Sequence, residues 1–509
     1  MNHTLKLAIA TAIAAQAGFC AQAADAAAKT QATSSSAAAI AQSNAEQISE
    51  IRAQMQALAE RLQKLERTNQ DLETQNAQLR KAAEGQAKQV QQVQADTDAT
   101  IDQLARTRSA LPEWTSRINL KGDFRYRHET INSGSDAEAI ANKGSTLDRE
   151  RERIRARLGL TAKVNDAISV GVRFVTSEYG ATVNSTRTAG GIDYTDSFYD
   201  PRLDPRSPNV TLGGYSSKKT VALDQAYVEW NPGADWKVTA GKMGIPWARP
   251  AQSLFVDGDI NPEGIAVGFN HGYFFANAFY FWLNEVTSSN TDRADANMNG
   301  GQLGVKVPFG TGSNLTIAAS YQKNGSVQGR ATTTFYGNST NGNSTVSVGS
   351  GASAATLLRD EFKIAEAFAE YTRNFKTSMF GDLPLTVFAQ YARNSGAGDE
   401  KNGDTLDKAY AGGISLGKAS APGTWEISWM YEKIEKNALF GQWIDSDFAN
   451  GNTDVKGHVI KAGYAPFKNT SVNLTWFINK LNVDAGKPNS SNPQDRNYDR
   501  LQLDFNFKY

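Results

Sequence analysis

Apolar and polar residues alternate strictly along the stretch 500–509. Its odd positions are apolar or aromatic, and its even positions are charged or carry an amide. Because successive side chains of a β-strand point to opposite faces, this pattern predicts a strand with one apolar and one polar face. A soluble sheet with one buried face would show the same alternation, so this stretch alone leaves both classes open.

The same period of two recurs throughout residues 115–509. The clearest runs are Ile118–Tyr126, Ile168–Phe174, Val221–Trp230, Leu385–Tyr391, Trp425–Tyr431 and Val472–Ile478. Short turns alternate with the long polar segments 178–219, 324–360 and 484–497, an asymmetry expected of outer-membrane barrels. We therefore predict an all-β transmembrane antiparallel β-barrel of about 16 strands. The aromatic end resembles the membrane-sorting terminus of such barrels, with Phe505, Phe507 and Tyr509 as its candidates.

Tryptophans near the ends of these runs predict the aromatic girdles that mark both membrane surfaces. They are Trp114, Trp230, Trp236, Trp247, Trp282, Trp425 and Trp443.

Residues 47–108 have a period of seven instead. Two series of residues spaced by seven form the core positions of the heptads. The first series starts with Ile48, Met55 and Leu62, and the second starts with Ile51, Leu58 and Leu65. This pattern predicts an N-terminal α-helical coiled coil in the periplasm. Polar residues at two successive core positions would fix the oligomer register, and these are Asn69 and Asn76. The alternative is one long amphipathic helix that lies on its own barrel.

The start of the chain indicates export. Lys6, the apolar run Leu7–Ala17 and Ala21-Gln22-Ala23 predict a signal peptide over residues 1–23. Residues 24–46 have no period and predict a flexible tether. Cys20 is the only cysteine and lies within the signal peptide, so we expect no disulfide in the mature chain.

Composition narrows the class further. The 53 basic and 53 acidic residues balance, which argues against a nucleic-acid partner. No later stretch approaches the roughly 18 apolar residues of a membrane helix. The hydrophobic content of 40% suits strands that are apolar on one face only.

The hairpin formed by Val221–Trp230 and Trp236–Lys242 carries a more specific signal. It is similar to the AYVE-W…AGK…P segment of the Gram-negative outer-membrane putative porin family, related to the phosphate-selective porins O and P. The resemblance covers residues 115–509. It implies a barrel that conducts small solutes across the outer membrane, commonly as a trimer. The coiled coil is not part of the core family pattern.

Basic residues follow the polar phase of the first strands. A charge on the lipid face costs about 2–4 kcal/mol at the midplane, so we expect these side chains to line the lumen. Positive rings in a pore favour anions. The candidates are Arg117, Lys121, Arg125, Arg153, Arg155, Arg157 and Arg173. The alternative is a structural network with lumen carboxylates such as Asp123, Asp224, Glu229, Asp499 and Asp504.

Segment 244–264 is rich in Pro, Gly and Asp, and two interpretations stay open. It is either a constriction loop folded into the pore or a loop on the outer surface. Its candidate residues are Phe255, Asp257, Asp259 and Glu263. The acidic spacing is similar to a calcium loop, but Pro262 stands where the loop needs Gly and Gly268 where it needs Glu. We expect neither a metal nor a cofactor.

These patterns predict an outer-membrane porin for passive diffusion of small hydrophilic solutes or ions, with an anion preference left open. The mature chain's His128, His271 and His458 are widely separated, and we expect no enzymatic activity. The expected partners are outer-membrane lipid, the solutes, further copies of the chain (a trimer is favoured), and peptidoglycan through the coiled coil. The alternative is a structural or adhesive barrel that links the outer membrane to the cell envelope through its coiled coil.

Overall fold

The computed structural model describes residues 34–110, 113–133, 149–178, 182–189, 192–199, 203–285, 295–350, 355–377, 381–400, 403–484 and 496–509. The chain divides into two units, Met1–Leu111 and Pro112–Tyr509. The predicted signal peptide, residues 1–23, lies outside the described residues.

The first unit contains one long helix, α1 (Ser34–Ala110). Residues 34–46 are helical instead of forming part of a flexible tether, because their alanines have the highest helix propensity. The apolar heptad positions of α1 are exposed in the single chain, from 50% for Leu72 to 67% for Met55. Among the helices of the described residues, none is both long and apolar enough to cross a membrane.

The second unit starts with a short helix, α2 (Glu113–Ser116), and then forms a barrel. Within the described residues the barrel has sixteen strands. In chain order they are β1 (Ile118–Ser133), β2 (Arg149–Lys163), β3 (Ile168–Ser177), β4 (Thr220–Trp230), β5 (Trp236–Lys242), β6 (Glu263–His271), β7 (Phe274–Asn284), β8 (Ala296–Pro308), β9 (Ser313–Gly325), β10 (Phe362–Thr377), β11 (Gly381–Asn394), β12 (Lys408–Gly417), β13 (Trp425–Ile434), β14 (Val455–Phe467), β15 (Thr470–Leu481) and β16 (Arg496–Lys508).

Each strand pairs antiparallel with the next, and β16 pairs with β1 to close the barrel, with Phe507 opposite Phe124. The predicted fold class and strand number are confirmed. Both ends of the barrel sequence lie at the end that carries the short turns, which include 164–167, 231–235 and 468–469. The long connections, such as 243–262 and 435–454, lie at the opposite end.

Within the described residues, two further hairpins and one short strand accompany the barrel. Thr182–Ala189 pairs with Ile192–Tyr199, and Thr345–Val348 pairs with Ala355–Leu358. The short strand Val210–Thr211 adds to β2.

Alternation along each strand separates two environments. On β15, Leu474 and Trp476 are exposed on the outer face, whereas Phe477 and Asn479 are buried on the inner face. The main apolar cluster therefore lies inside the barrel, where inner side chains of the strands meet long connections. Phe255, Phe440 and Phe448 belong to this cluster.

Candidate functional site

Segment 243–262, which connects β5 to β6, folds into the lumen. Its backbone amides donate to side chains on distant strands. They are Ala248 to Gln302 of β8 (2.8 Å), Ala251 to Glu370 of β10 (3.0 Å) and Leu254 to Glu432 of β13 (3.3 Å). Since β13 lies across the barrel from β5 and β6 in the strand order, the segment crosses the interior.

The predicted constriction residues have different surroundings. Phe255 is buried in the apolar cluster. The carboxylate of Asp257 is buried and accepts hydrogen bonds from the backbone amides of Asp259 (2.8 Å) and Ser446 (2.9 Å). Glu263 lies outside the segment, at the start of β6, where it forms an ion pair with Lys242 at 2.9 Å.

Segment 435–454, which connects β13 to β14, is a second inward segment that sequence reasoning missed. The Asp257 amide donates to the Trp443 carbonyl (2.7 Å), and the Asp445 amide donates to the Leu254 carbonyl (3.2 Å). The rings of Trp247 and Trp443 stack in parallel with centroids 6.3 Å apart. These two segments are thus joined inside the lumen.

The stacked pair corrects the girdle prediction for Trp247 and Trp443. Both indoles lie inside the barrel because the segments that carry them fold inward. Trp230, Trp236 and Trp282 are half exposed on strand ends, as a girdle requires. The signal for the second segment was its apolar content, since Leu439, Phe440, Ile444 and Phe448 would not suit a solvated loop.

The predicted basic residues mostly pair with lumen acids. Five form ion pairs within the described residues, and three of these are close: Arg155 with Asp123 (2.7 Å), Arg173 with Asp224 (2.5 Å) and Arg157 with Asp259. Of the carboxylates named as alternative partners, Asp123, Asp224 and Asp504 do take part in this network. Glu229 instead pairs with Lys237 at 3.5 Å. Asp499 lies on the outer face, since it stands opposite the outward Ile478.

The other predicted cations differ in burial. Arg125 donates to the Asn209 side chain (2.5 Å) and lies 3.8 Å from Asp504. Arg153 is buried, donates to Ser207 (3.2 Å) and lies 3.7 Å from Glu178. Lys121 is exposed near the short-turn end, and Arg117 is exposed just before β1 begins.

Three charged residues that the sequence did not single out, Arg127, Asp447 and Arg500, form a connected set of ion pairs. Arg127 binds both oxygens of Asp504 (2.6 and 2.8 Å) and one oxygen of Asp447 (2.9 Å). Arg500 binds the other oxygen of Asp447 at 2.6 Å. Burial alone would raise the pKa of Asp447, but Arg127, Arg500 and Arg125 hold it far below its usual range.

The pKa values of two other carboxyl groups between the inward segments are shifted in the opposite direction. Burial, followed by the nearby charge of Asp447, raises the pKa of Asp445 to about 7. Burial, together with the charges of Asp445 and Asp259, raises the pKa of Asp257 well above its ordinary value. The junction of the segments therefore contains one carboxyl group, that of Asp445, which binds a proton near neutral pH, and a second, that of Asp257, whose charged form is disfavoured by burial.

A polar cavity of about 390 Å³ lies between these segments and the wall of β14–β16, β1 and β2. Its lining includes Asp123, Arg125, Arg127, Arg155, Leu254, Asp445, Asp447, Lys461, Ser471, Asn473, Thr475, Gln502, Asp504, Asn506 and Lys508. A second cavity of about 380 Å³ lies nearer the short turns, and its lining includes Lys121, Arg157, Arg173, Gln225, Lys508 and Tyr509.

The candidate sorting residues lie where the barrel closes. The ring centroids of Phe505 and Tyr126 are 6.3 Å apart, and so are those of Phe507 and Phe124. Tyr509 exchanges two backbone hydrogen bonds with Gly122 (3.0 and 3.1 Å). The terminal strand is thus paired with β1 from Tyr498 to Lys508.

Two other sequence predictions concern α1 and metals. Asn69 and Asn76 are exposed on α1, and their role in oligomer register stays a prediction. Within the part of the chain that the structure describes, no three His, Cys, Asp or Glu side chains are grouped to hold a metal ion.

Comparison with known proteins now adds to this geometry. A family model described as "Putative porin" matches residues 4–204, 200–381 and 386–509. The chain belongs to this porin family. As a family member it is an outer-membrane β-barrel channel protein. No curated protein matches the chain by sequence.

Several solved outer-membrane proteins are similar to the chain at low identity. Pseudomonas putida OprB shares 10% identity, covers 78% of this chain and 95% of its own, and has a TM-score of 0.45. A loop-deletion mutant of Vibrio cholerae OmpT shares 10% identity, covers 77% of this chain and 99% of its own, and has a TM-score of 0.39. A mutant of Rh. blastica porin shares 12% identity, covers 77% of this chain and 100% of its own, and has a TM-score of 0.38.

Proposed function

We propose that the chain passes small hydrophilic solutes and ions by passive diffusion, with a weak preference for anions. The observation that supports this is the polar cavity of about 390 Å³ between the inward segments and the barrel wall. Its wall includes neutral hydrogen-bonding groups, Ser471, Asn473, Thr475, Gln502 and Asn506, which can replace part of a solute's hydration shell. Passive diffusion requires no catalytic group and no cofactor.

The charges along this cavity support the anion preference. Its cations are Arg125, Arg127, Arg155, Lys461 and Lys508, and its carboxylates are Asp123, Asp445, Asp447 and Asp504. Asp445 is only partly ionised at neutral pH, because its pKa is about 7. Positive charge is therefore in slight excess, and lining charge of one sign favours the opposite ion.

Two lysines are the best candidates to act on a passing anion. They are Lys508, which belongs to the cations of this cavity, and the nearby Lys121. Among the described residues neither forms an ion pair, whereas Arg127, Arg155 and Arg157 do. Lys508 lines both cavities, and Lys121 lines the second. We therefore place the selectivity at the short-turn end of the lumen.

Single-channel recording of the purified full-length chain under a salt gradient tests this proposal. We expect ohmic steps and a reversal potential of the anion-selective sign. Lys121→Gln with Lys508→Gln should move the anion-to-cation permeability ratio toward one. Lys418→Gln with Lys468→Gln removes equal charge from exposed residues in turns at the same end, and this control should leave the ratio unchanged.

The other outcomes separate the claims. A cation preference in the unmodified protein would refute the proposed anion preference but would be compatible with the proposed passive diffusion. Folded barrel without conductance would instead favour the structural or adhesive role. If the relation to phosphate-selective porins holds, phosphate added to the same recordings should reduce the chloride current.

We further propose that α1 lies in the periplasm and joins three chains in a coiled coil. Its apolar seam supports this, because Met55, Leu58, Leu62 and Leu65 are more than half exposed in the single chain. Burial stabilises each such side chain by about 1.5–3 kcal/mol, so a partner helix would be favoured.

A pair of matched variants tests the assembly. Leu62→Asp with Leu65→Asp should convert the particle from trimer to monomer, as measured by sedimentation of the detergent-solubilised chain. Gln56→Asp with Gln63→Asp adds the same charge off the seam and should leave the trimer intact. A trimer that survives the leucine changes would place the contact in the barrel. Co-sedimentation with purified peptidoglycan tests whether α1 also contacts the cell wall.

A further inference from the structure

The outer face of the barrel carries a band of basic side chains near its long-loop end. Seven consecutive strands, β9 to β15, contribute one residue each, within two positions of the strand end. We call this set the basic band: Lys323, Lys363, Arg393, Lys408, Lys433, Lys456 and Lys480.

Strand parity places the basic band on the outside. Lys323 shares its face with Ile317 and Tyr321, which are 45% and 50% exposed on β9. On β13, Lys433 shares its face with the exposed Trp429. The same parity holds on the other five strands, where exposed apolar residues precede or follow the basic residue at even spacing.

The members of the band are neighbours from strand to strand. Direct opposite pairs are Lys323 with Lys363, Arg393 with Lys408, Lys433 with Lys456, and Lys456 with Lys480. Lys363 and Arg393 are offset by two residues, since Arg393 stands opposite Ala365. Lys408 and Lys433 are offset in the same way, since Lys433 stands opposite Tyr410. Like charges placed opposite one another destabilise a sheet, so a counter-charge is expected to compensate them.

Carboxylates in the part of the chain that the structure describes neutralise only part of this charge. Among the described residues, four acids pair with three members of the band: Glu361 with Lys363, Asp407 with Arg393, and both Glu435 and Asp484 with Lys433. Lys323, Lys408 and Lys456 form no ion pair within the same described part of the chain. The band therefore keeps an excess of positive charge.

A row of tyrosines fixes the depth of the band in the membrane. Tyr321, Tyr391, Tyr410 and Tyr431 each lie two residues closer to the barrel centre than the basic residue on the same strand. Tyrosines of this kind mark the boundary between hydrocarbon and headgroups. The basic side chains just beyond them lie at headgroup level. Long loops of outer-membrane barrels are extracellular, so this is the outer leaflet.

The band is restricted to one side of the barrel. At the same end, the outer face of β16 and β2 carries acids instead, namely Asp499, Glu150 and Glu152. On the opposite side, the outward Lys242 of β5 is paired with Glu263 at 2.9 Å, so it adds little net positive charge at this end.

From the register, exposure and depth of these side chains, we propose that the basic band binds phosphate-bearing lipids of the outer leaflet. Lysine and arginine donate charge-assisted hydrogen bonds to phosphate oxygens, and the acyl chains would lie along the tyrosines and apolar residues below. The lipid would supply the missing counter-charge.

The test compares lipids and matched variants of the full-length chain in phosphatidylcholine nanodiscs. Lipid A with both phosphates, its monophosphoryl form and free inorganic phosphate are the probes, and native mass spectrometry counts bound lipid. We expect tight binding of bisphosphorylated lipid A, weaker binding of the monophosphoryl form and none of free phosphate. Binding should weaken with salt because the contact is exposed.

Lys323→Gln, Lys408→Gln and Lys456→Gln together should weaken lipid A binding about 100-fold, at about fivefold for each surface lysine. Lys306→Gln, Lys418→Gln and Lys468→Gln remove the same charge near the short-turn end and should leave the affinity unchanged. Equal affinity of both variants, or equal binding of the bisphosphorylated and monophosphoryl forms of lipid A, would overturn the proposal. Heat-modifiable migration on a gel checks that each barrel is folded.

Discussion

The ion pairs of Asp447 should fix segment 435–454 in the lumen, and Asp447→Asn tests this directly. Asp447 accepts from Arg127 at 2.9 Å and from Arg500 at 2.6 Å. After the change Arg127 keeps both oxygens of Asp504, so the loss falls mainly on Arg500, which is 2% exposed. Breaking a buried pair costs about 3–5 kcal/mol. We take about 3 kcal/mol, because Arg500 keeps the Ser446 carbonyl at 3.1 Å.

A loss of this size should increase local opening of segment 435–454 about 100-fold, since about 1.4 kcal/mol corresponds to a factor of ten. Hydrogen exchange followed by mass spectrometry measures this opening in peptides that cover the segment. Asp382→Asn, an exposed carboxylate on β11, is the matched control and should exchange like the unmodified chain. Exchange that stays at the control rate in Asp447→Asn would refute the reasoning.

A double-variant cycle separates the pair from other effects of the change. With Arg500→Gln added, the segment should open less than the sum of the two single changes, because no buried charge is then left unpaired. Single-channel recordings under a salt gradient should show a stronger anion preference in Asp447→Asn alone, since one negative charge has left the cavity. Strict additivity would mean that the contact contributes little to the position of the segment.

Three further changes test other parts of the structure. Since the pKa of Asp445 is about 7, its carboxyl is mostly neutral below that pH and charged above it, so anion preference should fall as pH rises from 6 to 8. Reversal potentials should lose this dependence in Asp445→Asn, and an unchanged pH profile would contradict the assignment. Trp443→Ala removes a stacked indole from the lumen and should raise the single-channel conductance, whereas unchanged conductance would mean that the ring lies off the ion path. A Cβ at Gly122 would come within 2.3 Å of the Tyr509 ring, so Gly122→Val should reduce the yield of folded barrel on gels, unlike Gly233→Ala in open space. Equal yields of the two variants would show that the terminal ring is free to move.

The strand pattern was predictable because each barrel strand faces two different environments. Leu501 and Leu503 face outward and Gln502 and Asp504 inward, so the chemistry of a residue reports its face. The same parity placed Arg153, Arg155 and Arg157 on one face without any tertiary information. Local alternation therefore determines the strand, the face and the class of barrel.

Contacts between distant segments could not be predicted in this way. Arg127 and Asp447 are 320 positions apart, and neither flanking pattern indicates the other. Segment 435–454 has no period of two, so its inward course depends on the pockets that Trp247 and the inner face provide. The girdle prediction is wrong for Trp247 and Trp443 for the same reason, because position near a strand end does not say which way a loop folds.

The structure divides the lumen charges between two roles that compete. A guanidinium that holds an inward segment through a carboxylate, as Arg157 does with Asp259, has its charge neutralised locally and exerts a weaker field on a passing solute. Cations without a partner keep their full field, but they position nothing. In the described lumen the paired arginines lie beside the inward segments, whereas Lys121 and Lys508 lie near the short turns. The shape of the passage should therefore depend on the arginines and its ion preference on the two lysines. For that reason the lysine variants should change the reversal potential without changing the conductance, and the Asp447 variant should change both.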